Sequence, residues 1–134
     1  MRITKLLLLL LITQLSFGQK KTSKTLKVTP LDMSAEQGNT TFMKKDQTLF
    51  YYNMNENKGE IKINNKSYTL NKKTENNGVY RLSGKGISIT TSKCNFKKME
   101  SEDCFYGKFP TVKIKVGTRL LNLKNVNLQD CPRS

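Results

Sequence analysis

The 134-residue sequence contains no histidine. Histidine is the commonest general base, it serves serine and cysteine nucleophiles, and it is a frequent metal ligand. Its absence excludes the usual hydrolytic triads and histidine metal sites. A nucleophilic lysine or a pair of carboxylates stays formally open, so a small hydrolase without histidine ranks as a distant alternative. The sequence predicts a protein that is not an enzyme.

Acidic residues are scarce as well, at 10 against 24 Lys and Arg. Three of them cluster at Glu100, Glu102 and Asp103, but the cluster lacks the Asp/Asn-Gly spacing of a calcium loop. The segment Gly84-Lys85-Gly86 is too short to cradle a phosphate, and no helix start follows it. We therefore predict no metal and no cofactor.

Long apolar runs are absent except at the N-terminus. Arg2 and Lys5 precede the apolar run Leu6 to Ile12, and Ser16-Phe17-Gly18 then supplies small residues for a signal peptidase. The run is shorter than the roughly 20 residues that span a bilayer. We predict a signal peptide over residues 1–18, a mature chain that begins at Gln19, no membrane span, and a periplasmic or extracellular location.

Arginine is rare in the mature chain, at positions 81, 119 and 133 only. Removing the signal peptide lowers the formal net charge from +14 to +12, because Arg2 and Lys5 are lost. Arginine is the usual choice for bidentate phosphate recognition. We interpret the lysine- and asparagine-rich charge as compositional. The alternative is a polyanion-binding protein whose partner is an anionic envelope glycan or a nucleic acid.

Hydrophobicity follows a two-residue period from residue 40 onward. Residues 19–39 form a polar, basic, flexible arm in which only Leu26 and Val28 alternate, so the arm contributes at most one edge strand. Asn64-Asn65 and Asn76-Asn77-Gly78 predict turns between alternating strands, and Asn95 to Asp103 is the best candidate for a short helix or irregular loop. We predict an all-β, monomeric domain over residues 40–134: a small antiparallel sandwich or barrel-like sheet with a C-terminal hairpin stapled by a disulfide.

Three cysteines allow three pairings: Cys94–Cys104, Cys94–Cys131 and Cys104–Cys131. An exported chain meets an oxidising compartment, so one disulfide is expected. A two-residue turn at Gly117-Thr118 places Val116 opposite Arg119, so the numbers of any two facing residues in this hairpin sum to 235. Cys104 and Cys131 satisfy that sum and should face each other. Facing residues lie within disulfide reach. The register therefore predicts a Cys104–Cys131 disulfide and leaves Cys94 as a free thiol.

The stretch from Asn77 to Ile89 resembles the strand-Lys-Gly-strand segment of the membrane-bound inhibitors of c-type lysozyme. The resemblance implies a barrel-like envelope domain and an inhibitor function, with Lys85 as the one candidate contact carried over. The family's upstream Ser-Gly segment has no counterpart before Tyr80. The stretch from Cys94 to Val112, with Cys131, is similar to a family of uncharacterised envelope lipoproteins, and that resemblance implies a Cys94–Cys131 pairing instead.

These observations together predict an exported, non-catalytic binding or inhibitor-like protein. Its partner is an unknown protein or an anionic envelope polymer, and Lys85 is its candidate binding residue.

Overall fold

The computed structural model describes residues 25–36, 38–97 and 104–132, which form an antiparallel all-β fold without helices. The predicted signal peptide and residues 19–24 of the predicted arm lie outside the described residues. The strands are β1 (Val28–Thr29), β2 (Asn39–Lys44), β3 (Gln47–Asn53), β4 (Lys58–Ile63), β5 (Lys66–Leu70), β6 (Lys72–Asn76), β7 (Val79–Gly84), β8 (Ile87–Thr91), β9 (Asn95–Lys97), β10 (Phe105–Val116) and β11 (Arg119–Asp130).

The strands form one sheet that curls into a half-barrel, so the predicted all-β class is confirmed and the barrel-like alternative applies. The strand order is β1-β4-β3-β2-β11-β10-β8-β7-β6, with β5 on β4 and β9 on β10. Only Asn71 separates β5 from β6, so one bent segment connects the two ends of the sheet. At Gly84 a Cβ would overlap the carbonyl oxygen of Thr69, and this glycine therefore lets β7 approach β5.

Two-residue turns set the register of the hairpins. Asn64-Asn65 and Asn77-Gly78 have positive φ at both central positions, as does Lys45-Asp46. This is the type I′ geometry, whose twist matches the strands that it joins. The turns predicted from the asparagine pairs are therefore confirmed.

The core lies inside the curl and is built by alternate residues of the strands. Phe42, Phe50, Tyr80 and Phe109 form its centre, with ring centroids 4.3–5.8 Å apart in stacked and edge-on arrangements. Aliphatic side chains surround them, among them Ile61, Leu70, Leu82, Ile89, Val112, Ile114, Val126 and Leu128. The lysines that alternate with these residues face outward, as the two-residue period predicts.

The final hairpin has the predicted register along its whole length, from Val116 opposite Arg119 to Phe105 opposite Asp130. Part-way along the hairpin, the alternation of inward- and outward-facing side chains shifts by one residue. The shift is seen at Phe109 and Val112, which are both fully buried although they are three residues apart. The change falls at Pro110, which does not join the ladder, and at Asn125, which has a φ of 57°. Because both strands change phase together, the register is kept.

The disulfide joins Cys104 and Cys131, whose Cα atoms are 4.2 Å apart, and Cys94 is a buried free thiol. The register prediction is confirmed. The Cys94–Cys131 pairing implied by the lipoprotein resemblance is wrong, since β9 and β10 hold Cys94 beside Gly107, where a Cβ would overlap its Sγ.

The arm contributes the one edge strand that its alternating residues predict, whereas the predicted helix or loop contains a strand. Within the predicted arm, Leu26 and Leu31 are buried and β1 pairs with β4. At the predicted short helix or loop, Asn95–Lys97 forms strand β9 against β10 instead. Residues 98–103 of that stretch, with the acidic cluster, lie outside the described residues.

Candidate functional site

One end of the half-barrel carries a concave surface of about 940 Å³ that is open to solvent, which we call the mouth. The turn between β6 and β7, strand β9, and the ends of β10 and β11 meet there. The residues that line it are Glu75, Asn77, Gly78, Tyr80, Lys93, Phe96, Lys97, Phe105 and Asp130. It therefore combines aromatic surface with side chains of both charges.

Asp130 is held by two hydroxyl groups within the curl. The Tyr80 hydroxyl donates to Oδ2 and the Thr40 hydroxyl to Oδ1, both at 2.9 Å. The Tyr80 backbone N–H donates to the Thr91 hydroxyl, also at 2.9 Å. Burial, and then the charge of Asp130, raise the pKa of Tyr80 far above its usual range, so the phenol stays protonated. The carboxylate is thus fixed by hydroxyl donors on two strands, β2 and β7.

Strand β6 directs Lys73 and Glu75 toward the inside of the curl, because they pair with the inward-facing Leu82 and Tyr80. The Lys73 Nζ lies 5.5 Å from the ring centroid of Tyr80 and 3.9 Å from the Met54 sulfur. The Glu75 carboxylate accepts a hydrogen bond from the Gly78 N–H at 2.9 Å. Charged groups of β6 therefore lie close to the Tyr80 ring and to the β6–β7 turn.

Phe96 and Phe105 are large apolar side chains that remain 51% and 58% exposed. Phe96 pairs with Gly107 across β9 and β10, so Phe105, two residues before Gly107, points to the same face. The edge of the Phe96 ring is 3.4 Å from the position that a Cβ would occupy on Gly78. The two rings thus form an exposed aromatic pair beside the mouth.

Cys94 lies near this site but is not an activated nucleophile. Burial raises the pKa of its thiol to about 11, although a backbone hydrogen bond with Lys108 opposes the shift. A thiol with that pKa is protonated at neutral pH, whereas nucleophilic cysteines have lowered pKa values. Its position indicates a packing role.

The structure places Lys85 away from the mouth. Lys85 and Gly86 form the exposed turn between β7 and β8, at the opposite end of β7 from Gly78. Lys85 shares a shallow concave surface there with Lys66 and Tyr68, and the Lys66 Nζ lies 5.2 Å from the Tyr68 ring centroid. Lys85 is thus an accessible cation, separate from the aromatic pair.

Sequence reasoning missed the mouth because its parts come from distant segments. Tyr80 and Asp130 are 50 residues apart, and no local motif marks their contact. The pairing of Phe96 with Gly107 depends on β9, which the sequence predicted as helix or loop. Phe105 follows Cys104 directly, so the predicted disulfide register was the one signal that placed it beside Asp130.

Within the described residues, no group of three or more Cys, Asp or Glu side chains could hold a metal ion. The same part of the chain contains no helix long and apolar enough to cross a membrane. Searches against protein-family models, curated proteins and solved structures found no match to this chain.

Proposed function

We propose that the chain is an exported, non-catalytic binding protein that holds a partner protein at the mouth. The observation that carries the proposal is the exposed pair Phe96 and Phe105, which lines the concave surface together with Tyr80. Exposed aromatic side chains in contiguous patches are typical of protein interfaces, where they supply most of the binding energy.

The arrangement of charge favours a protein partner over a small ligand. Glu75 and Asp130 provide negative charge at the mouth, while Lys93 and Lys97 provide positive charge. An apolar centre surrounded by charges of both signs matches the core and rim of protein interfaces. The mouth is also open, whereas small-molecule sites enclose most of their ligand.

The non-catalytic part of the proposal rests on the chemistry of the same residues. The chain has no histidine. Both carboxylate oxygens of Asp130 accept hydrogen bonds from hydroxyls, and the Tyr80 phenol and the Cys94 thiol have raised pKa values. A general base must be free to take a proton near neutral pH, and these groups are not arranged for that.

Affinity capture from an envelope extract of the source cells tests the proposal, with immobilised mature protein and elution in steps of increasing salt. We expect one protein to be retained by the wild type and lost by Phe96→Ala/Phe105→Ala. Truncating one central interface aromatic costs about 2 kcal/mol, or roughly thirty-fold in affinity, so the loss of both should weaken binding by about several hundred-fold.

Leu120→Ala is the matched control, because Leu120 is an exposed apolar side chain, at 66%, on another face. It should retain the partner as the wild type does. Retention that is equal in all three proteins, or that is lost equally in both variants, would contradict binding at the mouth.

Inhibition of a c-type lysozyme through Lys85 stays a prediction of the family resemblance. Lys85 and the mouth lie at opposite ends of β7, so a contact at Lys85 would use a second surface.

A further inference from the structure

The outer face of the C-terminal half of the sheet carries positive charge in aligned rows across five strands. One row runs Thr74, Arg81, Thr90, Lys113, Asn122, and the next runs Lys72, Ser83, Ser88, Lys115, Leu120. A third, shorter row places Lys124 beside Thr111. We call this surface the basic face.

Its side chains point away from the core. Lys113 and Lys115 alternate with the fully buried Val112 and Ile114, and Arg81 lies between the buried Tyr80 and Leu82. All three cations are exposed, as are Lys72 and Lys124. The ammonium of Lys44 adds a further charge at the margin, 3.0 Å from the carbonyl oxygen of Lys124.

No acidic side chain occurs in these rows, all of whose residues the structure describes. The two described acids nearest in sequence point elsewhere: Glu75 and Asp130 are hydrogen-bonded at the mouth. The remaining described acids lie between Asp32 and Glu60, in the N-terminal half. Among the residues that the structure describes, no acid therefore neutralises the basic face.

The spacing of the charges suits an extended, repeating anion. Lys113 and Lys115 are about 7 Å apart along β10, and Arg81 is about 10 Å from Lys113 across two strand spacings. Serine, threonine and asparagine occupy the positions between the cations and present hydroxyl and amide groups. A surface with charges at this spacing can contact successive acidic units of a linear polymer at once.

We propose that the basic face binds an acidic polysaccharide, a linear glycan that carries carboxylate groups. The positions between the cations can hydrogen-bond sugar hydroxyls. The rows contain no aromatic side chain, and proteins that bind single-stranded nucleic acids combine positive charge with aromatic stacking. The cations are mostly lysine, whereas arginine is preferred for bidentate phosphate contacts. These observations favour a glycan over a nucleic acid.

Binding to alginate, a linear polymer of uronic acids, tests the proposal with the mature protein in a titration at low salt. The test variant is Lys113→Gln/Lys115→Gln. The matched control is Lys27→Gln/Lys58→Gln, which removes the same charge from exposed lysines of the N-terminal half. Since a lysine near an anionic surface contributes about fivefold in affinity or less, we expect a loss of roughly ten- to thirty-fold in the test variant, which lacks two lysines.

The control variant should lose less than about threefold, because its lysines contribute only to the overall field. Neutral dextran should not bind, and the alginate affinity should fall steeply with added salt. Equal losses in both variants would show that net charge alone is responsible and would overturn the proposal.

A nucleic acid is the alternative ligand. If single- or double-stranded DNA binds more tightly than alginate at equal salt, and the test variant weakens that binding, the proposal is overturned in favour of a nucleic acid. Neither outcome depends on Phe96 or Phe105, so the result is independent of the mouth.

Discussion

Tyr80 combines two roles at the residue scale, since its ring packs against Phe42 and Phe109 while its hydroxyl donates to Asp130. A partly buried carboxylate without donors would be costly, and the Tyr80 and Thr40 hydroxyls supply them. The same environment disfavours the phenolate, so the pKa of Tyr80 is raised in the folded state. The site of the Tyr80–Asp130 hydrogen bond thus makes the free energy of unfolding decrease at alkaline pH.

Tyr80→Phe should lower the free energy of unfolding at pH 7 by about 1.5–3 kcal/mol, because it removes a hydrogen bond to a charged group. The phenol loses its proton near pH 10 when unfolded but keeps it when folded, so the wild type loses stability as pH rises above 10. The variant lacks this loss, and the difference between the two proteins should shrink between pH 9 and 11. Urea titrations across that range measure it, and a constant difference would contradict the assignment.

At the scale of elements, the long β10–β11 hairpin is the part of the fold that brings Phe105 and Asp130 together. Its inward face is kept along the whole length only because Pro110 and Asn125 change the phase of both strands at one place. Asparagine tolerates the left-handed conformation better than most residues. The hairpin therefore depends on one asparagine for its continuity.

Asn125→Val should lower the free energy of unfolding by about 1–2 kcal/mol, because a β-branched residue is strained at positive φ. Asn122→Val is the control, since Asn122 is an exposed member of the regular ladder and should change stability by less than about 0.5 kcal/mol. Thermal or urea unfolding compares them. Equal effects at both positions would show that the phase change does not rest on Asn125.

At the scale of the whole molecule, the fold separates its two proposed surfaces. The mouth gathers the aromatic pair with charges of both signs, and the basic face carries lysine and arginine without acids. The Cys104–Cys131 disulfide closes the hairpin next to the mouth and contributes about 3–4 kcal/mol in the chain-entropy model. A disulfide also fits an oxidising compartment, which agrees with the export proposed from the first 18 residues.

Export makes a specific prediction about the whole chain. When the full-length protein is produced in its source cells, the mature product should begin at Gln19, because signal peptidase cuts after small residues that follow an apolar run. The intact mass of the protein from the soluble envelope or the medium measures this. A product that retains residues 1–18 in the membrane fraction would contradict it.

The sequence by itself determined the all-β class, the asparagine turns, and the register of the last hairpin with its disulfide. Each of these depends on local chemistry: the two-residue period, the positive φ that Asn and Gly accept, and a turn that fixes every later pair. The family resemblance names Lys85 as a candidate contact, but the sequence does not say which other residues share its surface.

Only the tertiary structure decided which distant residues meet. Tyr80 reaches Asp130, Phe96 lies on the same face as Phe105, and Arg81 joins the row of Lys113, although no local pattern connects these positions. Such contacts follow from strand order and from the curl of the sheet, which depend on packing of the whole core. The cations of the basic face are spread along the sequence. They form one surface only because strands that are distant in sequence pair in the sheet.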